Sequence, residues 1–160
     1  MISWHEFETA APLIAQLGRE RLEGTRVALL GTLRKDGSPR ISPIEPYLSQ
    51  EHLLFGAMSS SLKTRDLLHD PRCALHSAIT APDTGEAEFK IYGRAIEAPT
   101  EIREGCSDGW WQAQPSGAAV VFALSIEQAT LIEWNLPHGQ MVVRRWSIRD
   151  GLTKTSRSYP

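Results

Sequence analysis

Two cysteines stand in 160 residues, Cys73 and Cys106, with no CxxC spacing and no histidine cluster beside either. That excludes a disulfide framework and leaves a structural zinc site without ligands. Both read as buried or idle thiols. No apolar run reaches the roughly eighteen residues of a membrane-spanning helix, and the start, MISWHE, has no basic segment followed by an apolar one. A cytoplasmic chain with no membrane partner is expected. A dominant charge is missing as well. Seventeen basic against nineteen acidic side chains give a formal charge of -2, so no global field draws the protein to nucleic acid, and any anion it binds must be caught locally. No Ser-His-Asp set, paired carboxylates or GxxxxGK[ST] loop stands out either.

What is present fits one domain of ordinary size. Ser3 and Glu6 form a capping box, with Ile2 and Phe7 placed for a hydrophobic staple, so a helix starts near Trp4. Pro12 predicts a kink or a second start near Ala11, running through Leu13, Ile14 and Leu17 to about Arg21. From Thr25 the pattern changes. VALLGTL and RISPIEPYL flank Asp36-Gly37, a hairpin signal with both turn positions wanting positive φ, and Pro43 marks a bulge or a free edge. HLLFGAM, Cys73 to Ile79, EFKIYGRAIEA, AAVVFALSI, ATLIEW and MVVRRW read as further strands. Many strands at hairpin spacing with few helices predict a mainly β fold, an antiparallel barrel or sandwich. The division is a helical segment over 1–24, a barrel over 25–147 and a tail over 148–160. Pro99 to Gly117 has no clear period.

The segment GAMSSSLKTRDLLHDPR carries the densest chemistry. Leu62 to His69 predicts a short helix capped by Ser60 or Ser61 and ended at Asp70 by Pro71. The helix start, the hydroxyls of Ser59, Ser60 and Ser61, and the charges of Lys63 and Arg65 together make a cradle for a phosphate. The same residues fit a capped surface helix with solvated charges, and from the segment alone both readings stand.

The ordered set VALLGTLRKDGSPRISPIEP, HLLFGAMSSSLKTRDLLHDPR, EFKIYGRAIEA and a hairpin ending MVVRRW resembles the FMN-binding split-barrel family typified by pyridoxamine 5'-phosphate oxidase. The resemblance runs from about Val27 to Trp146. It implies an antiparallel split β-barrel, an intertwined homodimer, and FMN as cofactor. By that resemblance Arg40, Ile41, Ser42 and Pro43 lie along the flavin, with the arginine reaching the phosphate. Gly56 and Ala57 border the ribityl chain, and Ser60, Ser61, Lys63 and Thr64 supply the phosphate clamp. Trp134 falls where the family places a tryptophan beside the flavin, supplied by the partner subunit; it equally fits a core tryptophan of the ATLIEW strand. Trp110, Trp111 and Trp146 are further candidates for burial against a partner.

The chain also departs from the family. The oxidases grip their substrate with an Arg-x-His-x-Arg stretch, and here Leu136-Pro137-His138-Gly139-Gln140 keeps only the histidine. That argues against a phosphorylated vitamin B6 substrate, because two charge-assisted partners are gone. The implied function is an FMN oxidoreductase passing hydride or electrons between the flavin and a small organic substrate, whose contacts would come from the 99–117 loop. A variant uses the deazaflavin coenzyme F-420, with Arg34, Lys35 and Arg65 as candidates for its anionic tail. The rival class is a barrel that stores, carries or senses flavin or haem without turnover; His52, His69, His76 and His138 are the available axial ligands, with no supporting pattern.

Overall fold

The computed structural model describes residues 1–81 and 84–158. Ser3 caps α1 (Trp4–Ala10): its Oγ accepts from Glu6 N at 3.2 Å, while its own N–H donates to the Glu6 carboxylate at 2.7 Å. The chain then breaks at Ala11, and Pro12 opens α2 (Pro12–Thr25) from its first position, where a missing N–H costs nothing. Of the two outcomes expected for Pro12, the second start is the one found. The helix runs four residues past Arg21, because Ile14, Ala15, Gly18 and Leu22 continue one buried stripe.

Among the described residues nine strands follow: β1 (Ala28–Leu33), β2 (Pro39–Ile44), β3 (Tyr47–Ser49), β4 (His52–Met58), β5 (Arg72–Ser77), β6 (Glu88–Glu97), β7 (Ala119–Asn135), β8 (Gln140–Ser147) and β9 (Gly151–Ser158). Between β4 and β5 lies α3 (Leu62–His69), and α4 (Thr100–Gly105) with a 3-10 turn (Trp110–Ala113) fills the segment without a clear period. Every pairing is antiparallel, in the order β2-β1-β5-β6-β7-β4-β3, with β8 and β9 added beyond β7. The chain is a split β-barrel. No described helix is long and apolar enough to cross a membrane.

Three differences from the sequence reading have local causes. The β1–β2 turn is a three-residue loop rather than a two-residue one: Arg34 N donates to Ser38 O at 2.9 Å, Gly37 N to Arg34 O at 2.8 Å, and Gly37 alone takes positive φ (81°). Pro43 sits opposite Leu29 in β2, which is an outer strand, so the free edge is the correct alternative. AAVVFALSI and ATLIEW form one strand, β7, interrupted only by a bulge. The register shifts between Tyr92 and Gly93, and Glu127 turns outward to meet Arg94 at 3.0 Å. The 148–160 segment, read as a tail, contains β9, whose polar, fully exposed pattern carries no apolar alternation to betray a strand.

Gly93 is where the bulge becomes indispensable. A Cβ there would lie on the Ser125 carbonyl and close on Glu127 N at 3.3 Å, backbone on both counts. We expect Gly93→Ala to reach the upper end of the roughly 1–3 kcal/mol cost of overpacking, lowering Tm by about 6–12 °C in thermal denaturation. A Tm within 2 °C of the parent would show that β7 can shift at no cost.

Two apolar clusters result. The larger joins α1 and α2 to the sheet through Trp4, Phe7, Phe55, Phe89 and Phe122, and it also takes in Trp146, whose ring meets Phe7 at 5.2 Å. The smaller lies around Leu54, Val121 and Ala123 and is covered by Cys106 and Trp111 from the 99–117 segment. Trp111 and Trp146 are therefore filled into the core of their own chain rather than held for a partner; Trp110 and Trp134 stay half-buried. Both thiols behave as inert: burial pushes Cys73 up to about 12 and raises Cys106 as well.

Candidate functional site

The basic helix forms as its sequence demands. Ser61 is the cap of α3, its Oγ accepting from Thr64 N at 3.3 Å, and Asp70 ends it just before Pro71. The first bond closing this helix runs from Arg65 N to Ser61 O at 3.2 Å, so the amides of Leu62 and Lys63 have no intrahelical acceptor. Lys63 leaves the first turn and donates from Nζ to Pro43 O at 2.9 Å, tying α3 to β2. Burial lowers the pKa of this half-buried ammonium, which makes an anion a favourable companion for it.

A second tie lies one turn on. Asp66 Oδ2 accepts from Arg40 Nε at 2.7 Å and from Thr32 Oγ1 at 2.9 Å. Burial pushes the Asp66 carboxyl up, but hydrogen bonds from Arg40 and Thr32 outweigh it and hold the group below its usual value. Only the Nε of Arg40 is used, and its two terminal nitrogens make no hydrogen bond among the described residues. Arg40 is thus fixed in direction while keeping donors to spare.

The Lys63–Pro43 tie borders an open groove of about 350 Å³ whose walls include Pro43, Gly56, Ala57, Lys63, Glu45 and Trp110; Arg40 and Asp66 are not in its lining. Four of the residues expected from the sequence meet there: Pro43, Gly56, Ala57 and Lys63. Ser61 holds the helix that brings Lys63, and Ser60 is exposed in the turn before it. Thr64 is buried, with its hydroxyl donated to Met58 O at 2.8 Å and 2.9 Å from Ser61 Oγ; it shapes the turn rather than facing the groove. Ser42 is half-buried opposite Leu30. Ile41 is 72% exposed and lines a different cavity on the outer sheet face, of about 430 Å³, with Leu29, His76, Ile79 and Tyr92. Trp134 is remote within one chain: it pairs with Met141 on β8 and hydrogen-bonds Glu88.

Two members of the arrangement, Asp66 and Glu45, are absent from the sequence reading, and Trp110, expected in the substrate-contacting 99–117 loop or against a partner, takes a place the reading did not give it. Asp66 has the signature of any surface acid on a short helix, and only the register of β2 against α3 makes it the anchor of Arg40. Trp110 lies over β4, where a Cβ on Gly56 would meet its ring at 3.1 Å and that of Trp111 at 2.6 Å; the glycine is what admits the indoles. Glu45 sits at the end of β2 and accepts from Tyr47 Oη at 2.9 Å. Burial, then the bond to Glu45, raises the Tyr47 pKa, so the hydroxyl stays a donor.

The set of a buried-stem lysine, a guanidinium with spare donors, serine hydroxyls and unpaired helix amides is suited to a phosphate monoester. Among the described residues no His, Cys, Asp and Glu group could hold a metal ion.

Comparison with known proteins agrees in fold. A haem-binding protein from Mycobacterium smegmatis superposes with a TM-score of 0.64 at 15% identity, covering 91% of this chain and 88% of that one. A pyridoxamine 5'-phosphate oxidase-related, FMN-binding protein from Nostoc punctiforme gives 0.63 at 10% identity, covering 92% and 96%. PhzG from Burkholderia lata, solved in complex with tetrahydrophenazine-1-carboxylic acid, gives 0.66 at 13% identity, covering 95% and 91%. No curated protein matches the chain. The family model described as pyridoxamine 5'-phosphate oxidase spans residues 15–133, and with α3, its two ties and the groove all inside that span, the chain belongs to the pyridoxamine 5'-phosphate oxidase family.

Proposed function

We propose that this protein binds FMN in the groove between β2, β4 and α3 and works as a flavin-dependent oxidoreductase on a small organic substrate. The observation that carries the reading is Lys63 in the groove wall at the capped start of α3, with Arg40 tied to the same helix through Asp66 and its terminal nitrogens spare. Lys63, Arg40, Ser61 and the first amides of α3 would hold the phosphate, while Pro43, Gly56 and Ala57 line the groove beside it. Bound FMN would supply reversible uptake of two electrons with accompanying protons. The chain's share is to fix the phosphate, shield one side of the groove with Trp110, and hold a carboxylate–phenol pair, Glu45 and Tyr47, at its rim. Pyridoxamine 5'-phosphate itself is a poor candidate substrate, since the 136–140 stretch, a 3-10 turn (Leu136–His138) leading into β8, has an exposed His138 and no arginine.

The test is a fluorescence titration of cofactor-stripped protein with FMN, riboflavin and coenzyme F-420. Micromolar FMN binding with at least tenfold weaker riboflavin is the expected result. Preference for F-420 would move the site to the deazaflavin, whose tail would call on exposed Arg65 and Lys35. Binding of none of the three sinks the reading.

A homodimer is part of the same proposal. Leu29, Ile41, Ile79 and Tyr92 are each at least 40% exposed around one outer cavity, an apolar patch suited to cover by a second copy. A haem reading competes for that patch, because His76 stands in its wall. Sedimentation separates the two: a dimer is expected, whereas a monomer that takes up haemin, and loses it in His76→Ala, would favour haem.

A further inference from the structure

The groove has a second pole opposite in charge to its phosphate clamp. Glu45 lies two residues beyond Pro43 and lines the same groove as Lys63, yet Lys63 is held by the Pro43 carbonyl at 2.9 Å. Among the described residues Glu45 makes no ion pair; its one hydrogen bond comes from Tyr47 Oη to Oε2, at 2.9 Å. Oε1 accepts no hydrogen bond among the described residues. Glu45 is exposed at the groove wall, and Pro46 restricts its backbone.

Around it the wall is aromatic. Trp110 lines the groove, Trp111 stands edge-on to it at 6.3 Å, and Tyr47 stands edge-on to Trp111 at 5.0 Å. A carboxylate and an indole in the wall of one groove are a combination that favours a cation: the oxygen supplies an ionic acceptor and the ring supplies a negative π-face.

We propose that the part of the groove lined by Glu45 and Trp110 binds the cationic group of a small organic ligand, so that the substrate of this site carries a protonated amine or a comparable cation. Glu45 touches that group; Tyr47 is a positioning residue acting through Glu45. The proposal rests on the flavin reading for the role of the neighbouring pole, but the cation pocket has its own readout.

Three probes of matched shape decide it: benzylamine, benzyl alcohol and benzoate, titrated calorimetrically at pH 7 into FMN-saturated protein and into protein without FMN. Benzylamine is expected to bind at least tenfold tighter than benzoate, with the alcohol between them. Glu45→Gln should bring the three within about twofold, and Tyr47→Phe should shrink the preference while keeping its sign. Equal or tighter binding of benzoate, or a preference that survives Glu45→Gln, overturns the proposal. If FMN fails to bind but benzylamine is preferred and Glu45→Gln removes that preference, the flavin reading falls and the cation site stands. Normal FMN binding with no preference gives the reverse.

Discussion

Replacing Lys63 with alanine is expected to weaken FMN binding by roughly 10- to 150-fold, the worth of one charge-assisted hydrogen bond of about 1.5–3 kcal/mol. Riboflavin, which lacks the phosphate, should lose little. The difference between the two ligands isolates the charge from the shape of the groove, because Lys63 also holds the Pro43 carbonyl. Lys63→Gln sharpens the comparison: its amide can still reach toward Pro43 O but brings no charge, so the FMN deficit should persist. Lys63 is half-buried and its pKa is lowered by that burial, so affinity should also fall as pH rises through its folded value, where the neutral amine offers the phosphate no charge. A phosphate held there would pull that value back up, placing the loss at higher pH for the complex than for the free protein. Equal losses for FMN and riboflavin in Lys63→Ala would mean that the lysine shapes β2 and does not meet the phosphate.

How far the sequence carried this site depends on the range of the interaction concerned. The Ser61 cap, the Leu62–His69 helix and its end at Asp70 are local, and residues within one turn of each other dictate them. The second start at Pro12 is local too. Strands with an apolar core face were legible from VALLGTL or HLLFGAM, but β9 was not, since eight exposed residues pairing only with β8 show no buried face. The join of two expected strands into β7 turns on one outward residue, Glu127, and a bulge is written in the partner strand, at Gly93, as much as in its own. The contacts that decide the site are long-range. Lys63 to Pro43 spans 20 residues, Arg40 to Asp66 spans 26, and Thr32 to Asp66 spans 34. No periodicity encodes them, and the resemblance supplied Lys63 and Arg40 without Asp66. Trp110 was legible only as part of the 99–117 loop; its place was not, because the segment lacks a period and the glycine that receives it, Gly56, lies in a strand more than fifty residues earlier.

Loss of Arg40 should damage the fold before it can report on the cofactor. Arg40→Ala strips the buried Asp66 carboxylate of its ionic partner and leaves only Thr32. Breaking a buried pair costs roughly 3–5 kcal/mol; Arg40 keeps 20% exposure against 9% for Asp66, so the lower end, about 3 kcal/mol, applies, or a fall in Tm of roughly 6–12 °C. A double replacement of Arg40 and Lys63 is therefore a poor test of phosphate binding, since weakened affinity would be mixed with a loosened β2. The variant that separates the effects removes the charge and its need together. Arg40→Met with Asp66→Leu and Thr32→Val replaces the network by apolar side chains and should restore most of the lost Tm while FMN binding stays weak. The pH dependence carries the same information. The Asp66 pKa is depressed in the folded protein from its ordinary 3.8, so its contribution to stability is in full force above that value and disappears as pH falls through the lower, folded one. The parent should lose stability steeply below about pH 4, and the triple variant should lack that part of the slope. A parent and a triple variant with the same acid slope would show that Asp66 is not the carboxylate that couples protonation to unfolding, and Arg40 would then have to be held to α3 by something other than its charge.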